Sequence, residues 1–253
     1  MNDTPAGNIS GPSGIFISGT DTNIGKTIVT ASLGVALKKN GFRLGVMKPV
    51  ETGMDQSGKP PEADSSQLQR LLSAHHPMHL VAPYTFREPL APLAASRQEL
   101  WPIDFALIKN RYQELSKNCD YILAEGAGGV LVPLTAQETV RDLISFLELP
   151  CIVVSRPTLG GVNHTLLTIQ ALHGKGIQVI SIVLNHTKAP QSSEIEQRQI
   201  ESTVQLISEL SGVPVVGPLP FEPLFGTHWE QGVNKLADDP AIITLAEMVT
   251  GKV

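Results

Sequence analysis

Cysteine is nearly absent from this chain: two of its 253 residues, Cys119 and Cys151, both in or beside apolar runs. That excludes a disulfide framework and a cysteine-built zinc site, and leaves two reduced core thiols. Basic charge is also short, with 19 Lys and Arg against 24 Asp and Glu for a net charge of −5, and no Lys/Arg-rich run occurs. A general nucleic-acid binder carries a basic surface and a membrane-surface segment carries a basic cluster, so neither class fits. No stretch reaches the roughly 18 consecutive apolar residues of a membrane-spanning helix. Met1–Gly14 is polar, broken by Gly and Pro, and lacks the basic and apolar blocks of a secretion signal. Residues 1–13 are therefore expected to form a disordered leader on a cytoplasmic protein, and residues 14–253 a single domain.

What the chain does have is enough apolar material, 42% of its residues, to bury a core without staples. Short apolar runs recur at Ile15–Ile17, Leu44–Met47, Tyr121–Ala124, Cys151–Val154, Ile177–Leu184 and Val213–Val216. They are continuous rather than alternating, as in strands covered on both faces of a parallel sheet. Between them lie helical stripes: Val29, Leu33, Ala36 and Leu37; Phe105, Ile108, Tyr112 and Leu115; Ile200, Val204, Ile207 and Leu210. Strand and helix in alternation predict an α/β fold, a doubly wound and mostly parallel sheet flanked by helices. Three stretches break the rhythm: Glu51–Glu62, expected to be a flexible loop; Pro83–Glu99; and Gly217–Pro240, expected to be irregular. In such sheets ligands bind at the carboxyl ends of the strands.

The strongest local signal is Ile15-Phe-Ile-Ser-Gly-Thr-Asp-Thr-Asn-Ile-Gly-Lys-Thr27. An apolar run ends, a glycine-bearing loop follows, and Gly25-Lys26-Thr27 opens a helix. The free N–H groups and positive dipole end at such a start form an anion site. Lys26 supplies a point charge for β- and γ-phosphates, and the Thr27 hydroxyl is placed to ligate Mg²⁺. Thr20 stands where the usual pattern has its first glycine; Gly19 comes one residue early. The predicted fold is therefore P-loop NTPase-like.

Lys48 closes the second apolar run at the carboxyl edge, and its charge suits anionic oxygens in the crevice. Glu125 ends the run Tyr121–Ala124, where a carboxylate needs a cation partner. Asp64 precedes the helical pattern Ser65–Leu72, so it is either a helix cap or a metal ligand, or both. Asn185 follows the run Gln178–Leu184, and a carboxamide there matches either an adenine edge or a turn. The seven histidines form no ligand set; His75, His76 and His79 cluster beside Pro77 and read as structural or solvated.

The loop G-T-D-T-x-x-G-K-T, with K-P-V at Lys48–Val50, E-G-A-G-G at Glu125–Gly129, V-L-N at Val183–Asn185 and P-L-P at Pro218–Pro220, resembles the dethiobiotin synthetase family of the P-loop superfamily. The likeness runs through most of the chain from Gly14 onward. It implies ATP-dependent ring closure, in biotin biosynthesis, of 7,8-diaminononanoate (diaminopelargonate) and CO₂. That reaction passes through a carbamate and a carbamic-phosphoric anhydride and uses Mg²⁺. By the same resemblance Lys48, Lys26 and Thr22 are catalytic, and Thr52 and Thr22 contact the amine or carbamate. Asn23, Ile24, Gly25, Lys26 and Thr27 hold phosphates, Asn185 meets the adenine, and Leu219 and Pro220 wall the base. Thr27, Asp64 and Glu125 bind the metal. Gly160, Gly161, Val162 and Asn163, preceding a helix expected near His164, receive the substrate carboxylate of a partner subunit in a homodimer. Arg156-Pro157 and Asn23 depart from the family pattern.

Two rival classes share this loop style. Cobyrinate-type amide synthases need a glutamine amidotransferase with a nucleophilic cysteine, and neither Cys119 nor Cys151 has a suitable loop. Partition and division-site ATPases carry an extra lysine five residues before the loop lysine; here that position is Asp21, and Ala241–Val253 is not a basic amphipathic helix.

Overall fold

The six apolar runs become the six strands of one parallel sheet in the computed structural model, which describes residues 14–54, 63–72, 75–189 and 193–251. The expected leader and residues 55–62 of the expected loop lie outside the described residues. In chain order the strands are β1 (Gly14–Gly19), β2 (Leu44–Met47), β3 (Val50–Thr52), β4 (Tyr84–Phe86), β5 (Tyr121–Gly129), β6 (Cys151–Ser155), β7 (Val179–Asn185) and β8 (Val215–Leu219). The large sheet runs β2-β5-β1-β6-β7-β8, and β3 pairs with β4 in a small parallel sheet of its own.

Alternate residues of each strand enter opposite cores. Phe16, Ile122, Val153 and Ile182 pack on one face against Ile108, Ile144 and Ile169. Ile15, Ile17, Leu123, Ile152 and Val183 pack on the other against Val29, Leu33 and Leu37. This two-sided burial is why the strands read as unbroken apolar runs. The helices are α1 (Lys26–Lys39), α2 (Asp64–Leu72), α3 (Met78–Val81), α4 (Pro92–Gln98), α5 (Phe105–Ser116), α6 (Val140–Leu147), α7 (Gly161–His173), α8 (Glu194–Ser211), α9 (Trp229–Leu236) and α10 (Pro240–Thr250). Side chains close several starts: Asp104 accepts from the Ala106 N–H, Ser193 from Glu196 and Asp239 from Ala241.

Several expectations are corrected. Glu51 and Thr52 belong to β3 rather than to a loop, Pro83–Glu99 contains β4 and α4, and Gly217–Pro240 contains α9. The small strands form because β3 and β4 pair with each other, not because either segment has strand periodicity. The stripe expected on α8 is turned: Thr203 and Ile207 are buried, whereas Leu210 is 63% exposed. Helix α7 starts at Gly161, ahead of His164. A Cβ at Gly161 would lie 2.2 Å from the Arg156 carbonyl oxygen, so only glycine lets the chain enter the helix there. Both cysteines are free, and His76 Nε2 lies 3.2 Å from Cys119 Sγ.

Candidate active site

Strand β1 sits between β5 and β6, and the chain proceeds from its two sides in opposite directions. That is the switch point where a doubly wound sheet opens a crevice. The segment joining β1 to α1 covers this point. Asn23 and Gly25 both take left-handed backbone angles, φ 52° and 95°. At Gly25 a Cβ would also fall 2.1 Å from Asn185 Nδ2, so glycine is required there twice over. Asn185, 2% exposed, donates from Nδ2 to the Ile24 carbonyl at 3.0 Å and thereby braces the loop from beneath. Lys26 crosses the loop, and Nζ donates to the Asp21 carbonyl at 2.7 Å. Burial holds Lys26 below the ordinary lysine range, against the opposing pull of Glu125.

Lys48 follows β2 and is anchored by its own N–H, which donates to the Val81 carbonyl at 2.7 Å. Its side chain is buried, and Nζ touches two carboxylates, Asp64 and, at 2.8 Å, Glu125 Oε1. Burial opposes the ammonium charge, but Glu125, Asp64 and Glu51 outweigh it and hold Lys48 above the ordinary lysine range. The Thr27 hydroxyl donates to the same Glu125 oxygen at 2.8 Å. The other oxygen, Glu125 Oε2, is buried without a hydrogen-bond partner among the described residues. An orphaned anionic oxygen in a dry site is costly, and a cation is what would satisfy it.

These side chains border a cavity of about 770 Å³. Thr22, Asn23, Gly25, Lys26 and Thr27 line it from the loop, Lys48 and Thr52 from the β2–β3 segment, and Asp64 and Glu125 from the far wall. The donor set suits Mg²⁺: one hydroxyl and two carboxylates, all hard oxygens lining one cavity. Among the described residues no group of three or more His, Cys, Asp or Glu side chains forms a cage for a metal by itself. A Mg²⁺ here would be completed by phosphate oxygens and water, which is its usual habit. Asp64 is the first residue of α2, and its carboxylate is engaged by Lys48.

Other expected site residues stand apart from this cavity. Ile24 is a core residue whose carbonyl is taken by Asn185. Asn185 and Leu219 are register partners at the ends of β7 and β8, with Pro220 exposed just beyond. Leu219 is fully buried, so its side chain faces the core and only its backbone borders that edge. Gly160 is exposed with φ 85°, and the Gly161 N–H already donates to the Thr158 carbonyl at 2.8 Å. That leaves Gly160, Val162 and Asn163 as the candidate N–H donors of the turn. Unanticipated contributors are Glu51, Gln67, Trp229 and the run Pro89–Pro92, all of which line the cavity. Glu51 stood in a stretch that reads as loop, and Pro89–Pro92 arrives only because β4 pairs with β3.

A glycine-lysine-threonine loop at the switch point of a parallel sheet, with a buried lysine and paired carboxylates facing it, defines a P-loop enzyme that works on a nucleotide. A family profile described as an AAA domain matches residues 13–228. The ATP-dependent dethiobiotin synthetase BioD of Thermodesulfovibrio yellowstonii is 39% identical over 216 residues, 82% of this chain and 88% of that one. The enzyme of the same name from Bacillus cereus is 39% identical over 209 residues, 83% and 84% of the two chains. The chain belongs to the AAA-domain family and, within it, to the ATP-dependent dethiobiotin synthetases. Among solved structures it is similar to the cell division protein MinD of Aquifex aeolicus, with TM-score 0.55, 17% identity and coverage of 96% and 98%. The Pyrococcus furiosus cell division ATPase MinD gives TM-score 0.56, 18% identity and coverage of 96% and 100%. At that identity the likeness concerns the fold alone. Helix α10 buries Ile242, Leu245 and Ala246 in the core.

Proposed function

We propose that this chain is an ATP-dependent ligase of biotin biosynthesis that converts 7,8-diaminononanoate and CO₂ to dethiobiotin. The observation that carries the reading is the Lys48–Glu125–Thr27 cluster facing the phosphate loop, within a chain of this family. One substrate amine takes up CO₂, loses a proton and becomes a carbamate. A carbamate oxygen attacks the γ-phosphorus as ADP leaves. The second amine then attacks the carbamate carbon, expels phosphate and releases a proton, which closes the cyclic urea. Most of this is positioning and charge neutralisation. Lys26 and the loop N–H groups hold the β- and γ-phosphates, Lys48 lies between the carbamate and the transferring phosphoryl group, and Thr22 and Thr52 orient the amine and carbamate. Thr27, Asp64 and Glu125 would hold Mg²⁺, which when bound would supply charge neutralisation at the phosphates.

Asn185 is assigned to the adenine. Beside the brace on Ile24, its Nδ2 has a second hydrogen to donate and its Oδ1 is an acceptor, which together match the N6 and N7 edge. Asn185→Ala is expected to weaken ATP binding by about 10–100-fold. GTP and tripolyphosphate should lose less, because they feel only the lost brace; titration calorimetry with the three ligands checks this. Equal losses for all three would make Asn185 a loop brace only.

The substrate carboxylate is assigned to the start of a partner's α7, through the N–H groups of Gly160, Val162 and Asn163. Exposed apolar side chains just before α7 (Leu159), on α7 (Leu167) and on the adjoining α8 (Leu206 and Leu210) support a covered face there. A homodimer is therefore expected by sedimentation at assay concentration, and a fully active monomer would contradict it. Among the described residues no helix is long and apolar enough to cross a membrane, and the proposed compartment is the cytoplasm.

The deciding assay supplies diaminononanoate, bicarbonate, Mg²⁺ and ATP and looks for the cyclic urea by mass. Product formation in step with ADP release supports the reading. ATP hydrolysis without product would overturn it.

A further inference from the structure

Among the described residues three carboxylates line the cavity, and Glu51 is the one to which the proposed reaction gives no task. It is 5% exposed, and burying a carboxylate is expensive unless it is held for a purpose. Both of its oxygens are committed to one residue. Oε2 accepts the Ser65 hydroxyl, and Oε1 accepts the Ser65 N–H at 3.4 Å. Ser65 is itself 1% exposed and follows Asp64 in the first turn of α2, where the helix dipole favours an anion.

We infer that Glu51 and Ser65 form a clamp that aims Asp64 at Lys48 and the metal position, so that Glu51 is a positioning residue for metal binding. The inference rests on the proposed assignment of Asp64 to Mg²⁺. Asp64 needs such a clamp because its side chain is 43% exposed, so burial alone does not fix its direction. The two halves of the clamp are 14 positions apart in the chain, and each is anchored separately. Strand β3 is held by its register with β4, Glu51 opposite Thr85, and α2 by buried Leu68 and Leu72. The clamp thus joins the strand that carries Thr52 to the helix that carries Asp64. A bound metal would meet Asp64 already oriented, and residues that orient metal ligands typically contribute 10–100-fold in metal affinity.

The test is the Mg²⁺ concentration needed to support ATP binding, read by titration calorimetry for Asp64→Asn, Ser65→Ala, Glu51→Ala, Glu51→Gln and the Glu51→Ala/Ser65→Ala double variant. Asp64→Asn should raise the Mg²⁺ midpoint, and Ser65→Ala and Glu51→Ala should each raise it by about 10–100-fold. The double variant should do no more than the worse single, because both act through one contact. Glu51→Gln keeps one acceptor for Ser65 and should recover most of the loss. ATP binding in EDTA should be the same in Ser65→Ala, which leaves the charge of the cavity untouched, as in the wild type. If Asp64→Asn shifts the midpoint but Ser65→Ala does not, the clamp is wrong while the metal assignment stands. If Asp64→Asn leaves the midpoint unchanged, the metal assignment falls and takes the clamp with it. Should Glu51→Ala fail to fold, Ser65→Ala, a loss of one hydroxyl, decides the question alone.

Discussion

Lys48→Gln is expected to lower kcat for urea formation by about 10²–10³-fold while leaving ATP affinity little changed. A carbamate and a γ-phosphoryl group are both anionic, so their approach is opposed by charge. An ammonium fixed between them offsets that repulsion most strongly as charge spreads in the transition state, where one such group lowers the barrier by about 3–4 kcal/mol. The structure fixes this ammonium from both ends: the Lys48 backbone hangs from Val81, and Nζ is gripped by Asp64 and Glu125. Those carboxylates, with Glu51, keep Lys48 charged well past neutral pH, so the group never has to be protonated during turnover. Glutamine, one atom shorter, retains a donor but no charge, so the loss is chiefly electrostatic. Its removal leaves Glu125 buried beside Asp64 without a cation, so the Mg²⁺ requirement should fall rather than rise. Single-turnover urea formation, nucleotide calorimetry and circular dichroism separate these effects. Near-wild-type turnover, or loss of the fold, would remove Lys48 from the reaction.

The main sheet was legible because parallel strands buried on both faces must be apolar at every position, and that pattern needs no partner to be recognised. Val46 and Met47 enter opposite cores, yet both are apolar. The stripes of α1 and α5 were legible for the same reason, and their expected residues are all buried. Strands β3 and β4 were not. Each has three residues, and what makes them strands is their mutual pairing, a long-range fact. Helix α8 misled because it is apolar on more than one side: Ile207 meets the core while Ile195, Leu206 and Leu210 are exposed. In the cavity, residues tied to a local motif were found, whereas Glu51 was not, since its partner Ser65 lies across a segment that no periodicity predicts. The brace from Asn185 to Ile24 spans 161 positions and was equally hidden.

Lys26→Ala is expected to bring turnover below detection, a loss of at least about 10³-fold, with weaker ATP binding as well. Unlike Lys48, this lysine acts on bound nucleotide before chemistry begins, because its ammonium is the point charge for the β- and γ-phosphates. In the free protein it is buried, 7% exposed, and among the described residues it is met by the Asp21 carbonyl at 2.7 Å and by the fields of Glu125, Asp64 and Asp21. Because burial outweighs the favourable contacts of this ammonium, its charge weighs against the unliganded fold, so Lys26→Ala is expected to keep native circular dichroism without a lowered melt. The pH dependence gives a cleaner signature. Burial lowers the Lys26 pKa, so this ammonium loses its proton at a lower pH than an ordinary lysine, while Lys48, whose pKa is raised, keeps its proton longer. Bound phosphates favour the charged form, so ATP affinity in the wild type should decline as pH rises through the Lys26 pKa. That alkaline decline should be missing from Lys26→Ala and retained in Lys48→Gln. Calorimetric titration of ATP across alkaline pH measures it. An alkaline decline that survives in Lys26→Ala would assign the limb to another group, and unchanged turnover would dismiss the loop as the phosphate site.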